Sequence, residues 1–238
     1  MTTCDDFLGG LVKLKQHKNG LRATSDSVLV AALVPVCSGE SVLDVGTGNG
    51  VVALCLNARV DGLKLTGIDC QEQLLALALE NAEINKADLT LVTADISRKP
   101  SPIHGKQFHH VVTNPPFYDE PNARQNPEVA KAYQEEIPLA EWLCFCLRHV
   151  RAKGTLTLIH RPEQLAEILS VLTGRIGAID VIPIISKEGQ PAKRIIVRGK
   201  MNSKRALKLY PPIILNTQDN QRTQIAEDIL RYGKAPKI

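Results

Sequence analysis

No apolar stretch in this 238-residue chain approaches the roughly 20 residues a helix needs to cross a bilayer. The N-terminus carries Asp5 and Asp6 where an export signal would have a basic region followed by an apolar core. A soluble, cytoplasmic protein is therefore expected, with no membrane partner. The cysteines are not arranged for a disulfide frame or a zinc site either. Cys4, Cys37, Cys55, Cys70, Cys144 and Cys146 are scattered, and Cys144-Phe145-Cys146 is not a C-x-x-C pair. They read as reduced thiols, and no metal is expected. Internal repeats and low-complexity tracts are also missing, which excludes solenoids and linker-rich chains. What is present, 44% hydrophobic and 23% charged residues, is ordinary for a globular protein long enough to bury one sizeable core. A single domain over 1–238 is the expectation, with the oligomeric state left open.

Charge is unevenly placed. Residues 187–210 hold eight basic side chains (Lys187, Lys193, Arg194, Arg198, Lys200, Lys204, Arg205 and Lys208) against Glu188 alone, while the whole chain carries only +4. A cluster of this kind can neutralise several phosphates, which is the sequence-independent part of nucleic-acid affinity. A lysine-guarded sheet edge has the same appearance. RNA is the expected partner, with Lys193, Arg194, Arg198, Lys200, Lys204 and Arg205 as candidate contacts.

Short β-branched runs alternate with helical patterns, the arrangement of a parallel sheet covered by helices. Strands are expected over 41–45, 63–68, 89–93, 108–113, 154–160, 178–185 and 194–198, and helices over 51–59, 71–85, 135–150 and 163–172. Between the last two strands only a Gly-Gln-Pro turn intervenes, so they must pair antiparallel. Five parallel strands followed by an antiparallel hairpin outline a class I (Rossmann-like) S-adenosylmethionine-dependent methyltransferase sheet, whereas a nicotinamide-binding sheet would be wholly parallel. Residues 206–215 are expected to add an edge strand interrupted by Pro211 and Pro212, and a helix over 219–232 to close the chain. The first 40 residues are expected to form a segment and a helix packed near the cofactor site.

Directly after the first of these strands comes Asp44-Val45-Gly46-Thr47-Gly48-Asn49-Gly50, opening a helix. Glycines there let the backbone turn tightly and approach a ligand, while free helix N-terminal amides face it. A G-x-G-x-x-G dinucleotide loop would need glycine where Val51 stands, but D-x-G-x-G-x-G is satisfied throughout. S-adenosylmethionine is thus the expected cofactor. Asp69 ends the second strand, where an acid can accept hydrogen bonds from two ribose hydroxyls, with Cys70 beside it. Asp95 and Ile96 follow the third strand, placed to meet the cofactor's adenine. One such acid is usually a turn residue; three at consecutive strand ends beside a glycine loop form a site, because ligands of open α/β sheets bind outside the strands' carboxyl ends.

Asn114-Pro115-Pro116-Phe117 follows the fourth strand. A planar exocyclic amine has its lone pair delocalised into the ring and is a poor nucleophile. If the Asn114 oxygen and the Pro115 carbonyl each accept one N–H, the nitrogen is held with its lone pair directed at a sulfonium methyl, and positioning with electrostatics suffices. The two prolines stiffen the loop, and Phe117 can stack on an extruded base, with Tyr118 as a second aromatic surface. A D/N/S-P-P-aromatic tetrad is expected by chance in about one such chain in a hundred.

With these residues the chain resembles the N-P-P-F/Y amino-methyltransferases, and within them the bacterial tRNA (adenine-N6)-methyltransferases acting on the anticodon loop of valine tRNA. Phe7-Leu8-Gly9-Gly10, Gln16, Gly20-Leu21-Arg22, Ser25-Asp26-Ser27-Val28-Leu29, Leu139-Ala140-Glu141-Trp142, the run from Gly154 to His160 and Pro191-Ala192-Lys193-Arg194 extend the likeness over almost the whole chain. The resemblance implies cofactor contacts from Arg22, Asp26, Asp44, Gly46, Thr47, Gly48, Asn49, Gly50, Asp69, Cys70, Asp95, Ile96 and Asn114. It implies that Asn114, Pro115, Pro116 and Phe117 hold the target amine, and that Ser25 or Asp26 caps the helix before the first strand. The chain departs from the pattern at Tyr133, where a histidine is expected.

His109 and His110 lie in a strand and point to opposite faces, Trp142 sits in an apolar helical face, and His160 and Arg161 end a strand. His109, His110 and Trp142 read as structural, while His160 and Arg161 carry no assignment. Two other readings stay open: methylation of a glutamine amide in a protein such as a release factor, which is another planar nitrogen, and a noncatalytic RNA-binding protein on the same fold.

Overall fold

The computed structural model describes residues 2–18, 22–116 and 137–237. Asp44, Gly67 and Val112 share one level of the sheet, and from this register the site follows. Strand β3 (Ser41–Val45) lies between β4 (Lys64–Asp69) and β6 (Phe108–Thr113), parallel to both. Beyond β4 comes β5 (Leu89–Thr93); beyond β6 comes β7 (Val150–His160), then β9 (Arg194–Lys200) and β8 (Gly177–Ile185), with β9 antiparallel to each neighbour. Seven principal strands thus run β5-β4-β3-β6-β7-β9-β8, all parallel but β9. The order reverses between β3 and β6, the switch point at which open α/β sheets form a crevice. Val42, Leu43, Val45, Val111 and Val112 are each almost wholly buried, as expected of parallel strands covered on both faces.

Helices α1 (Ser25–Leu33), α2 (Val51–Arg59) and α3 (Glu72–Ile84) enclose one half of the core, and α4 (Leu139–Arg148) and α5 (Leu165–Leu172) cover the second cluster. Helix α1 is buried from Asp26 to Leu33, so it is apolar all round rather than amphipathic. It is capped by Thr24, whose hydroxyl accepts the Asp26 amide at 3.3 Å; Ser25 and Asp26, the expected caps, are already its first turn.

Several boundaries differ from expectation for local reasons. Strand β7 starts four residues early because Val150 pairs with Phe108 across an irregularity in the β6 ladder. Pro211 and Pro212 divide the expected edge strand into β10 (Lys208–Leu209) and β11 (Ile213–Ile214), both parallel to β8. The last helix, α6 (Gln224–Leu230), is shorter than its apolar pattern because Thr223 caps it, accepting the Ala226 amide.

The N-terminal segment holds an unforeseen hairpin, β1 (Thr2–Phe7) with β2 (Val12–His17). Asn81 of α3 brackets the backbone of β2, accepting the Lys15 amide at 2.7 Å and donating to its carbonyl at 3.0 Å. Asn85, one turn on, does the same to Lys13. Two side-chain amides thus supply the ladder a neighbouring strand would otherwise provide. No helix among the described residues is long and apolar enough to cross a membrane.

Candidate active site

The carboxyl ends of β3, β4, β5 and β6 open onto a cavity of about 480 Å3. Of the thirteen expected cofactor contacts, eleven line it: Arg22, Asp26, Gly46, Thr47, Gly48, Asn49, Asp69, Cys70, Asp95, Ile96 and Asn114. Asp44 and Gly50 stand behind the wall.

The glycine loop is shaped by left-handed backbone. Gly46, Gly48 and Gly50 have φ of 72°, 56° and 86°, a region L side chains rarely adopt. Gly50 serves as N-cap of α2 against Ala78. Asp44 lies beneath the loop and accepts the Thr47 hydroxyl at 2.7 Å. Burial, with the Asp69 charge adding, pushes the Asp44 carboxyl up to about 7 despite that hydrogen bond. Asp44 thus braces the loop from below through one oxygen, while its other oxygen, Oδ1, is buried with no hydrogen-bond partner among the described residues.

Asp69 is on the cavity wall, its two oxygens accepting the Gly48 amide at 2.9 Å and the Gln71 amide at 3.0 Å. Burial raises its pKa, opposed by those amides. Each oxygen keeps a lone pair for a vicinal diol. At Asp95 burial also pulls upward, but Ser97, donating at 2.7 Å from its hydroxyl, and Arg98 at 3.1 Å hold the carboxyl below its ordinary value. Ile96, Leu74 and Ile68 supply apolar wall between the two acids.

Asn114 brings the second motif to the same cavity. Its Oδ1 is fully buried and has no hydrogen-bond partner among the described residues, an arrangement that costs about 1–3 kcal/mol unless a ligand donates to it. Pro115 and Pro116 continue the wall and also line a second cavity of about 240 Å3, with Trp142, His160, Arg161, Gln164 and Glu167. Burial first, then the neighbouring Arg161 charge, lowers His160 to about 4, so it is neutral. Phe117, Tyr118 and Tyr133 lie outside the described residues.

Two contacts were not legible in the sequence. Gln16, buried in the hairpin, donates to Asp5 at 2.7 Å and accepts the Ala23 amide at 2.8 Å, while Asp5 also pairs with Arg22 at 2.6 Å. This chain fixes the Arg22 segment over the cavity. Arg194, expected to face RNA, instead lines the cavity and pairs with Asp26 at 2.6 Å. Two other basic candidates pair with a buried acid: Arg198 meets Asp180 at 3.0 Å, and Arg205, itself exposed, binds the other oxygen of the same carboxylate. Lys193, Lys200 and Lys204 are exposed. His109 and His110 contact Ser41 and Glu40 at the opposite edge of the sheet, at 2.9 Å and 2.8 Å.

A carboxylate for a ribose, apolar wall for a base and a glycine-rich loop fit S-adenosylmethionine. Strand order and site together define a class I S-adenosylmethionine-dependent methyltransferase, with S-adenosylmethionine as methyl donor. The chain belongs to the methyltransferase small domain family, whose model matches residues 23–173. It is similar to the tRNA1(Val) (adenine(37)-N6)-methyltransferase of Actinobacillus pleuropneumoniae serotype 7 (strain AP76), at 24% identity over 97% of this chain and 98% of the relative. The protein of the same description from Trichodesmium erythraeum (strain IMS101) is 27% identical over 77% of this chain and 79% of its own length. Among solved structures, a predicted O-methyltransferase from Agrobacterium tumefaciens shares the fold, with a TM-score of 0.74 at 24% identity, covering 89% of this chain and 98% of that one. The T. thermophilus 16S rRNA N2 G1207 methyltransferase, in complex with AdoMet and guanosine, has a TM-score of 0.57 at 19% identity, covering 85% and 50%.

Proposed function

We propose that this chain transfers the methyl group of S-adenosylmethionine to the exocyclic N6 amine of an adenine in RNA, with a tRNA anticodon loop as the acceptor. The observation that carries this is Asn114: a buried acceptor oxygen without a partner among the described residues, beside two prolines, on the wall of the cofactor cavity. That is the atom a planar amine needs. The relatives from A. pleuropneumoniae and T. erythraeum, named for adenine-N6 methylation of tRNA1(Val), support the same acceptor.

S-adenosylmethionine supplies an electrophilic sulfonium methyl. Asp69 and the Gly46–Gly48 backbone would hold the donor's ribose and tail, and Asp95 with Ile96 its adenine. Asn114 and the Pro115 carbonyl take the two N–H bonds of the acceptor, which localises the nitrogen lone pair and directs it into the cavity. Methyl transfer would form the nitrogen–carbon bond as the sulfonium carbon–sulfur bond breaks and the neutral thioether leaves, and the nitrogen would lose one of its protons to solvent. Phe117, next in sequence, is the proposed stacking surface for the extruded base, with Tyr118 beside it. Lys193, Lys200 and Lys204 are the proposed phosphate contacts.

The test is to incubate the enzyme and Asn114→Ala with methyl-labelled cofactor and unmodified bulk tRNA, then digest to nucleosides. Labelled N6-methyladenosine from wild type alone supports the reading. Label on a protein glutamine, with none on tRNA, would overturn it.

A further inference from the structure

Trp142 is the only tryptophan in the chain, and its sequence context marks it as core. Its position is more specific than that. The ring lines both cavities, so it forms part of the partition between them. Against Gly46 the packing is tight enough that a Cβ there would come within 2.9 Å of Trp142 Cζ2. Its indole Nε1 donates to Thr113 Oγ1 at 2.9 Å, and Thr113 Oγ1 donates to the Val45 carbonyl at 2.8 Å. Trp142 is only 9% exposed, and Thr113 and Val45 are fully buried.

The direction of this relay is set by chemistry. An indole N–H can only donate, so the Thr113 hydroxyl must accept, and its single proton is left for the Val45 carbonyl. Each participant has a partner, as buried polar groups require. The two ends are the residues that immediately precede the working loops: Val45 before Gly46, and Thr113 before Asn114. Strands β3 and β6 pair directly at this level, Val45 opposite Thr113, and α4 carries the ring that clamps both.

We infer that Trp142 and Thr113 are positioning residues that set the separation between the cofactor loop at Gly46 and the acceptor loop at Asn114. The inference rests on the proposed function only in taking donor and acceptor to sit on those two loops. Neither residue takes part in bond making. Their effect is geometric, and a misplacement of about 1 Å between reacting groups can cost about a hundredfold in rate.

Thr113→Val removes the hydroxyl at nearly constant shape, Thr113→Ser restores it, and Trp142→Phe keeps a ring without the N–H. Three readouts are compared: kcat with tRNA, cofactor affinity by calorimetry, and amide hydrogen exchange at residues 45–48 and 114. Expected for Thr113→Val is a loss of kcat of about tenfold or more, cofactor affinity within about threefold, and faster exchange in both loops together. Thr113→Ser should match wild type, and Trp142→Phe combined with Thr113→Val should be no worse than the more damaging single change. Exchange unchanged in either loop of Thr113→Val would overturn the inference, as would Thr113→Ser behaving like Thr113→Val. Exchange needs no acceptor, so a wild type that fails to label tRNA would defeat the acceptor reading while this inference is still judged on exchange.

Discussion

Asn114 and Asp44 each bury a side-chain oxygen that has no hydrogen-bond partner among the described residues. Asn114 lines the cavity, and Asp44 lies beneath the glycine loop, where its other oxygen accepts the Thr47 hydroxyl. Under the proposed function, replacing Asn114 with Ala should lower kcat by about 10²–10³, the usual cost of losing a preorganised polar contact to the reacting centre. Cofactor affinity should hold within about threefold; calorimetry beside single-turnover kinetics separates the two, and an equal loss in both would argue against an acceptor-side role. For Asp44 the prediction concerns pH. Its carboxyl lies near 7 in the folded protein against an ordinary 3.8, so the folded state binds the extra proton. The stability it contributes is complete below about pH 4 and is lost as pH rises through 7. Without cofactor, the Tm of Asp44→Asn should gain on wild type from pH 4 to pH 8. A difference that stays constant with pH would show that Asp44 does not titrate there.

At the level of elements, the strands of the sheet were legible because a parallel strand buried on both faces must be a short apolar run, and six of the seven begin and end within two residues of their sequence-based limits. The hairpin β1–β2 was not. Strand β2 does alternate, with Val12, Leu14 and Gln16 buried, but it is short, β1 has no buried residue, and the partner of β2 is a helix: Asn81 and Asn85 complete its edge. No local pattern announces that a strand will be held by asparagines about 70 residues away. Asn81 is wholly buried and also donates to the Asn49 carbonyl at 3.0 Å, so Asn81→Ala strands three backbone partners. A loss of about 2–3 kcal/mol in urea unfolding is expected, with weaker cofactor binding because Asn49 belongs to the glycine loop. Asn85→Ala, at the more exposed end, should cost under about 1 kcal/mol. Equal effects would show that the bracket works as a unit.

Across the molecule, the basic segment is divided by strand direction. Because β9 runs antiparallel, Arg194 stands at the cavity edge and Lys200 at the far edge of the sheet, about 20 Å away at the rise of a strand. Arg198 and Arg205 lie toward that far edge and neutralise Asp180. Under the proposed function, Lys193→Ala, Lys200→Ala and Lys204→Ala should each weaken tRNA binding and reduce its salt slope by about 1. Lys193→Ala should also raise KM for tRNA most, being closest to the site. Arg198→Ala should leave the slope unchanged and lower stability instead, measured as Tm. A slope altered by Arg198→Ala alone would place the phosphate path on that arginine.

By itself the sequence determined the fold class and where two loops leave the carboxyl ends of their strands, because strand burial, a left-handed glycine turn and a proline-stiffened asparagine are constraints that act over a few neighbouring residues. It also pointed to the acids at the strand ends, since chain direction in a parallel sheet brings those ends together. Only the tertiary structure decided which polar groups are consumed internally. Arg194 meets Asp26 across 168 residues, Gln16 ties the hairpin to the Arg22 segment, and Trp142 joins two loops through one threonine. Each of these depends on which faces meet after packing, and a long-range pairing leaves no periodicity in the chain from which it can be read.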